Sequence, residues 1–229
     1  MGAVVGARVA KLCHVQNVSS ERRLRISSDA LTRTVDVVLV TIACLFFLPL
    51  ILLIAALVLA TDPGPIVFAQ RRLGRGGRYF WCYKFRSMVV DSEERLRAHL
   101  ATDPMARLEW ERDHKLRNDP RITWLGVFLR KSSLDELPQL FNVLRGDMSL
   151  VGPRPIVDAE IRRYGRYFEH YCSVRPGITG LWQISGRNDV SYRRRVALDV
   201  AFSRSRSVSL HIKILAGTVP VVLLRKGSY

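Results

Sequence analysis

Two adjacent carboxylates, Asp135 and Glu136, stand just ahead of Pro138 in an otherwise basic chain. An ionised carboxylate is a usable nucleophile toward phosphorus, provided that cations neutralise the phosphate it approaches. Arg130 and Lys131 lie just upstream, and Arg154 is held between Pro153 and Pro155 in "GDMSLVGPRP". The two prolines restrict the backbone around Arg154, which lowers the entropy lost when its guanidinium clamps a phosphate through two hydrogen bonds. Mg2+ favours carboxylate oxygens together with substrate phosphates, so Asp135 and Glu136 are also candidate metal ligands. A second stretch, "VRPGITGLWQISGRN" from Val174 to Asn188, joins Arg175 and Arg187 to Gly177, Gly180 and Gly186. Those glycines permit close backbone approach or a positive φ.

The elements that must position these groups follow from punctuation and periodicity. Proline is tolerated only in the first turn of a helix, so Pro138 predicts a helix over Asp135–Leu144 with Asp135 as its N-cap. Two acids there stabilise the helix through its dipole, and the same position favours an ionised Asp135. From this spacing alone a plain cap is the simpler reading, and a nucleophile stays open beside it. Thr61–Pro65 reads as a turn, Ile66–Met88 as a β-hairpin around Gly74–Gly77, and Arg117–Ile122 as another turn. Helices are expected over Asp91–Lys115, Asp158–Tyr171 and Tyr192–Ser203. Val208–Leu224, interrupted by Gly217 and Pro220, suits an interfacial or core helix better than a span. The expected fold class is α+β, mainly helical, with a small hairpin.

The 229 residues carry a net charge of +16, which calls for an anionic partner. Val37–Ala60 contains no charged residue and as a helix would reach ~36 Å, enough for a bilayer core. Pro49 lies at its middle and removes one helical hydrogen bond, so a bend is expected there. Arginines flank both ends, which leaves orientation without the usual imbalance. A kinked span and a re-entrant helix returning to the same face both satisfy this pattern. Beside such a segment, the arginines and tyrosines of Arg162–Tyr171 suit anionic phospholipid head groups, and nothing reads as a nucleic-acid-binding motif. The four cysteines are widely spaced, suggest neither zinc nor a disulfide framework, and are expected as unpaired packing residues.

Three stretches together, "YKFRSM", "LRKSSLDELPQLFNVLRGDMSLVGPRP" and "RPGITGLWQISGRN", resemble the monotopic bacterial polyprenyl-phosphate phosphoglycosyl transferases. The ending "RKGSY" and the single membrane segment fit as well, so the resemblance runs from about Arg33 to Tyr229. Within that family the chain is most similar to the exopolysaccharide-initiating hexose-1-phosphate transferases of rhizobia. The resemblance implies transfer of galactose- or glucose-1-phosphate from a UDP-sugar to undecaprenyl phosphate, releasing UMP, with Mg2+ and a covalent phosphosugar intermediate. It makes Asp135 the nucleophile beside Glu136. Lys84, Arg86, Arg130, Arg154, Arg175, Gln183 and Arg187 become the phosphate and nucleotide candidates. Pro153, Pro155, Gly177 and Asp199 are expected to shape the site. It also implies re-entry at Pro49, although Leu48 stands where relatives often carry a small residue.

The domain reading is then a basic, poorly ordered arm over 1–32, a re-entrant membrane helix over 33–60, and a cytoplasmic catalytic domain over 61–229 at the bacterial inner membrane. A non-catalytic scaffold or regulator of polysaccharide assembly is the alternative. The sugar and the oligomeric state, a homodimer included, stay open.

Overall fold

The computed structural model describes residues 19–113, 116–186 and 190–223; Arg187 lies outside them. It is mainly helical, with two small sheets. The chain forms two compact units interleaved along the sequence. Unit one takes the residues up to Phe47, Ala69–Tyr83 and those from Pro138 onward. Unit two takes Leu48–Phe68 and Lys84–Leu137.

Helix α1 (Ser19–Thr61) runs through both, with Pro49 inside it. It starts within the stretch expected to be a poorly ordered arm. Its Ser28–Thr61 portion is long and apolar enough to cross a membrane, with mean hydropathy 3.1 in its most apolar part. Leu39, Ile42, Leu45, Phe46, Leu52 and Leu53 are exposed along it.

In unit two, the last turns of α1 supply Ile54 and Val58 to a core with Phe85, Leu125 and Leu129. The helix expected over Asp91–Lys115 is two helices, α2 (Ser92–Thr102) and α3 (Pro104–Asp113). The reason is the Asp103-Pro104 pair. Proline suits a first helical position, and the Asp103 carboxylate accepts hydrogen bonds from the Met105 and Ala106 amides at 2.8 and 3.0 Å. Helix α4 (Trp124–Ser132) is capped by the Thr123 hydroxyl, which accepts from the Gly126 amide at 2.9 Å.

In unit one, the hairpin strands β1 (Val67–Leu73) and β2 (Tyr79–Phe85) pair as expected, their ends reaching into unit two. Their turn uses Gly76 and Gly77 at φ 68 and 71. Helix α5 (Gln139–Arg145) is fixed to β2 by the fully buried Asn142. Its side chain accepts from the Tyr83 amide at 3.0 Å and donates to the Trp81 carbonyl at 2.7 Å.

A parallel pair of short strands escapes sequence reading. Strand β3 (Ser149–Val151) pairs with β4 (Gly177–Thr179) in the register Ser149 to Gly177 and Val151 to Thr179. Glycine makes this possible by close approach, not by a positive φ. A Cβ on Gly177 would lie 2.0 Å from the Gly152 nitrogen, and one on Gly152 would lie 2.3 Å from the Arg175 carbonyl.

The helix expected over Asp158–Tyr171 is broken at Gly165, φ 51, into α6 (Ile161–Tyr164) and α7 (Phe168–Cys172). Short α8 (Leu181–Ile184), α9 (Tyr192–Ser205) and α10 (Val208–Leu223) complete the unit. One core joins Leu73, Ile156, Tyr164, Phe168, Tyr171 and Val200, and a second joins Val151, Val174, Phe202 and Ile214. Cys44 is a free thiol, but Cys172 is disulfide-bonded, contrary to the expectation of unpaired thiols throughout; spacing along a chain does not report proximity in space.

Candidate functional site

The acid pair does not begin an α-helix. Helix α4 ends at Ser133, whose φ of 58 makes it the one non-glycine residue with positive φ among the described residues. A single 3-10 turn, Leu134–Glu136, then carries both acids, and Pro138 caps α5. A left-handed serine is costly, by ~1 kcal/mol or more, and such backbone strain gathers at functional sites. The turn has buried Asp135, which is 7% exposed.

Burial changes the electrostatic expectation. It pushes the Asp135 carboxyl above the usual carboxylate range, and Glu136 pushes the same way, while Lys84 and Arg130 pull it back down. The ionised form therefore depends on cations rather than on a helix N-terminus. Lys84, from the end of β2, supplies the main one. Its Nζ donates to Glu136 Oε1 at 2.6 Å and lies 3.4 Å from Asp135 Oδ2. Arg130 extends from the last turn of α4, and its Nε donates to the Ser87 hydroxyl at 2.8 Å. Lys131, on the same turn, is exposed.

The supporting shell was not signalled by spacing. Ser87 binds Arg130 through its side chain and receives the Thr123 amide on its carbonyl at 3.2 Å. Gly126 is essential to that contact, because a Cβ there would lie 2.0 Å from the Ser87 carbonyl oxygen. Asp119 and Arg121 form a two-pronged pair at 2.8 and 2.6 Å, with the Arg121 guanidinium over Trp110. Burial alone would raise Asp119, but the hydrogen bonds from Arg121, with Arg130 nearby, hold it below the usual range.

Unit two thus brings Lys84, Arg130, Asp135 and Glu136 together. Arg86 turns instead to the Asp62 carbonyl and carboxylate, tying the Thr61–Pro65 turn, and its buried Nη1 has no partner among the described residues.

The remaining candidates belong to unit one. Pro153 and Pro155 are buried and Arg154 between them is exposed. Arg175 donates from Nε to the Gly146 carbonyl at 3.0 Å, and Gln183 donates to the Ile178 carbonyl at 3.0 Å. Asp199 is buried and accepts a 2.7 Å hydrogen bond from the Tyr164 hydroxyl. Burial pushes its carboxyl up to about 7, against the pull of Tyr164 and Arg195. Sequence reading also missed a buried cluster at the start of the apolar run. Asp36 accepts from the Ser149 hydroxyl at 2.6 Å and the Leu150 amide at 3.2 Å, and lies 3.0 Å from His211 Nε2.

Among the described residues, no group of three His, Cys, Asp or Glu could hold a metal by itself. The Asp135–Glu136 pair fits Mg2+ in the other common manner, as a carboxylate pair completed by substrate phosphate and water.

Among the described residues, a carboxylate pair bridged by Lys84, with Arg130 close by, thus accompanies one long apolar helix. Residues 27–225 match the bacterial sugar transferase family, and the chain belongs to it. It is 50% identical over 218 residues to the undecaprenyl-phosphate galactose phosphotransferase of Salmonella typhimurium, covering 95% of this chain and 45% of that protein. It is 48% identical over 197 residues to the exopolysaccharide production protein ExoY of Rhizobium meliloti, covering 86% of this chain and 87% of that one. Against the UDP-glucose:undecaprenyl-phosphate glucose-1-phosphate transferase of Xanthomonas campestris pv. campestris it is 41% identical over 202 residues, covering 85% and 39%. The chain spans less than half the length of the Salmonella and Xanthomonas relatives and most of the Rhizobium one.

Proposed function

We propose that this chain transfers a hexose-1-phosphate, galactose or glucose, from a UDP-sugar to undecaprenyl phosphate and releases UMP, the first membrane step of exopolysaccharide assembly. One observation carries the reading: a buried carboxylate, Asp135, is held beside Lys84 and Arg130 in a chain of this family. An Asp135 oxygen attacks the sugar-bearing phosphorus of the UDP-sugar. The bond from that phosphorus to the bridging oxygen breaks and UMP departs. An oxygen of undecaprenyl phosphate then attacks the same phosphorus, and Asp135 leaves as the carboxylate. Lys84 keeps Asp135 ionised beforehand and orients Glu136. Arg130, fixed by Ser87, offers charge to the phosphate that Asp135 meets. Mg2+, held by Asp135 and Glu136, would neutralise the pyrophosphate when bound.

The membrane reading is re-entry at Pro49, with the catalytic units on the cytoplasmic side of the inner membrane and anionic phospholipids as surroundings. Two facts support it. The start of α1 is tied to unit one, where Arg33 donates to the Leu144 carbonyl at 2.9 Å, and its end is packed into the core of unit two. The chain also passes between the units at 68–69, 83–84 and 137–138, in segments that carry charge rather than long apolar runs. Helix α4 adds an interfacial face: Leu125 and Leu129 are buried against the end of α1, while Trp124, Val127 and Phe128 are exposed.

The test is purified protein with undecaprenyl phosphate, Mg2+ and a panel of UDP-sugars, read by UMP release. UDP-galactose or UDP-glucose should yield UMP, and Asp135→Asn should yield none. No UMP from any UDP-sugar would sink the proposal and leave the scaffold reading.

A further inference from the structure

Unit one holds a cavity of about 50 Å3 at the foot of the apolar helix. Ser28, Asp29 and Thr32 of α1 form one wall, and Arg75, Arg175 and Arg206 converge from the hairpin turn, β4 and α9 sides. The volume suits one phosphate group, or roughly four waters.

Charge at this cavity is unevenly balanced. Asp29 is shared by Arg75 and Arg206, each at 3.1 Å. Asp36 is already engaged by Ser149, the Leu150 amide and His211. Arg175 is left without a carboxylate: its Nε binds the Gly146 carbonyl, and its two terminal nitrogens have no partner among the described residues. Burial, with Arg75 and Arg33 close by, pushes the Arg175 pKa down against the pull of Asp29 and Asp36. Ser207, on the rim, caps the first turn of the 16-residue helix α10, accepting from the Leu210 amide at 3.2 Å, so a helix N-terminus also faces the cavity.

Depth selects the ligand. The α1 wall of Ser28, Asp29 and Thr32 lies about one and a half to two and a half turns before Val37, where the uncharged run begins. In a bilayer that level is the head-group zone, where lipid phosphates lie. We propose that this cavity binds the phosphate of an anionic phospholipid head group, with Arg175 as the two-pronged donor. None of its lining residues belongs to the unit that holds the acid pair.

The experiment is equilibrium binding by the full chain in neutral detergent. The probes are short-chain phosphatidylglycerol, short-chain phosphatidylcholine and inorganic phosphate. Saturable binding of phosphatidylglycerol is expected, weakened about tenfold or more by Arg175→Gln, since a two-pronged charged contact is lost. Thr32→Phe should block the same binding from the opposite wall without touching Arg175, which covers the case in which Arg175→Gln fails to fold. Arg97→Gln, exposed on α2 and outside this cavity's lining, should bind like the parent. Equal binding by the parent and Thr32→Phe would overturn the site. Binding of inorganic phosphate with no preference for phosphatidylglycerol would overturn the lipid assignment. Because binding is read directly, a failed transferase assay leaves this result unaffected.

Discussion

Asp135 is buried, yet the proposed reaction needs it ionised, and Lys84 reconciles the two. Removing that ammonium as Lys84→Met leaves burial and Glu136 unopposed on one side, so the Asp135 carboxyl rises further. The acid limb of the pH–rate profile should then move to higher pH, and turnover at neutral pH should fall by about 100-fold or more. Asp135→Asn gives the complementary result in stability. Below the ordinary carboxylate value both folded and unfolded chains hold the proton, and nothing distinguishes parent from variant. Above it the folded parent must surrender a proton it holds more tightly than the unfolded chain does, so its stability falls as pH rises through the raised value. The inactive variant should therefore melt at least as high as the parent at pH 8, by calorimetry at several pH values. Asp199 obeys the same sign over a window ending at about 7. Asp199→Asn, which still accepts from Tyr164, should flatten the loss of stability between pH 5 and pH 8, an effect on the order of a few kcal/mol.

Two kinds of glycine govern the elements. Gly177→Ala forces a Cβ to within 2.0 Å of the Gly152 nitrogen, so β3 and β4 cannot pair. A loss of about 3 kcal/mol or more in denaturant melts is expected. Gly76→Asn meets open space and a φ that asparagine tolerates, so it should cost about 1 kcal/mol or less. The contrast explains what could be read in advance. The hairpin, α9 and α10 were legible because each is a local pattern closed by its own turn residues. The split at Pro104 and the break at Gly165 were not read: helical spacing on both sides of each masked a single breaker whose consequences depend on caps and turns. The β3–β4 pair was not legible, since its strands are three residues each and joined only in space. The acid turn was half legible: Asp135, Glu136, Arg130 and Lys84 could be named from residue type and resemblance. Its geometry hinged on Ser133 adopting a left-handed φ, which no spacing announces.

For the whole molecule, the reading with consequences is re-entry. A cysteine introduced near Ser20 should resist an impermeant thiol reagent in intact cells and react after lysis; labelling from outside would mean that α1 spans. The charge of +16 could be read as demand for anions but not assigned to places. The structure gathers part of it at the acid turn, with Lys84 and Arg130, and part at the foot of α1, with Arg75, Arg175 and Arg206.

Asp36 carries a lesson about time rather than place. Its partners Ser149 and His211 lie 113 and 175 residues further along the chain. A ribosome releases the apolar helix long before it releases either of them. Throughout that interval the carboxylate lacks the groups that will bury it. The foot of α1 therefore closes only after His211 has emerged.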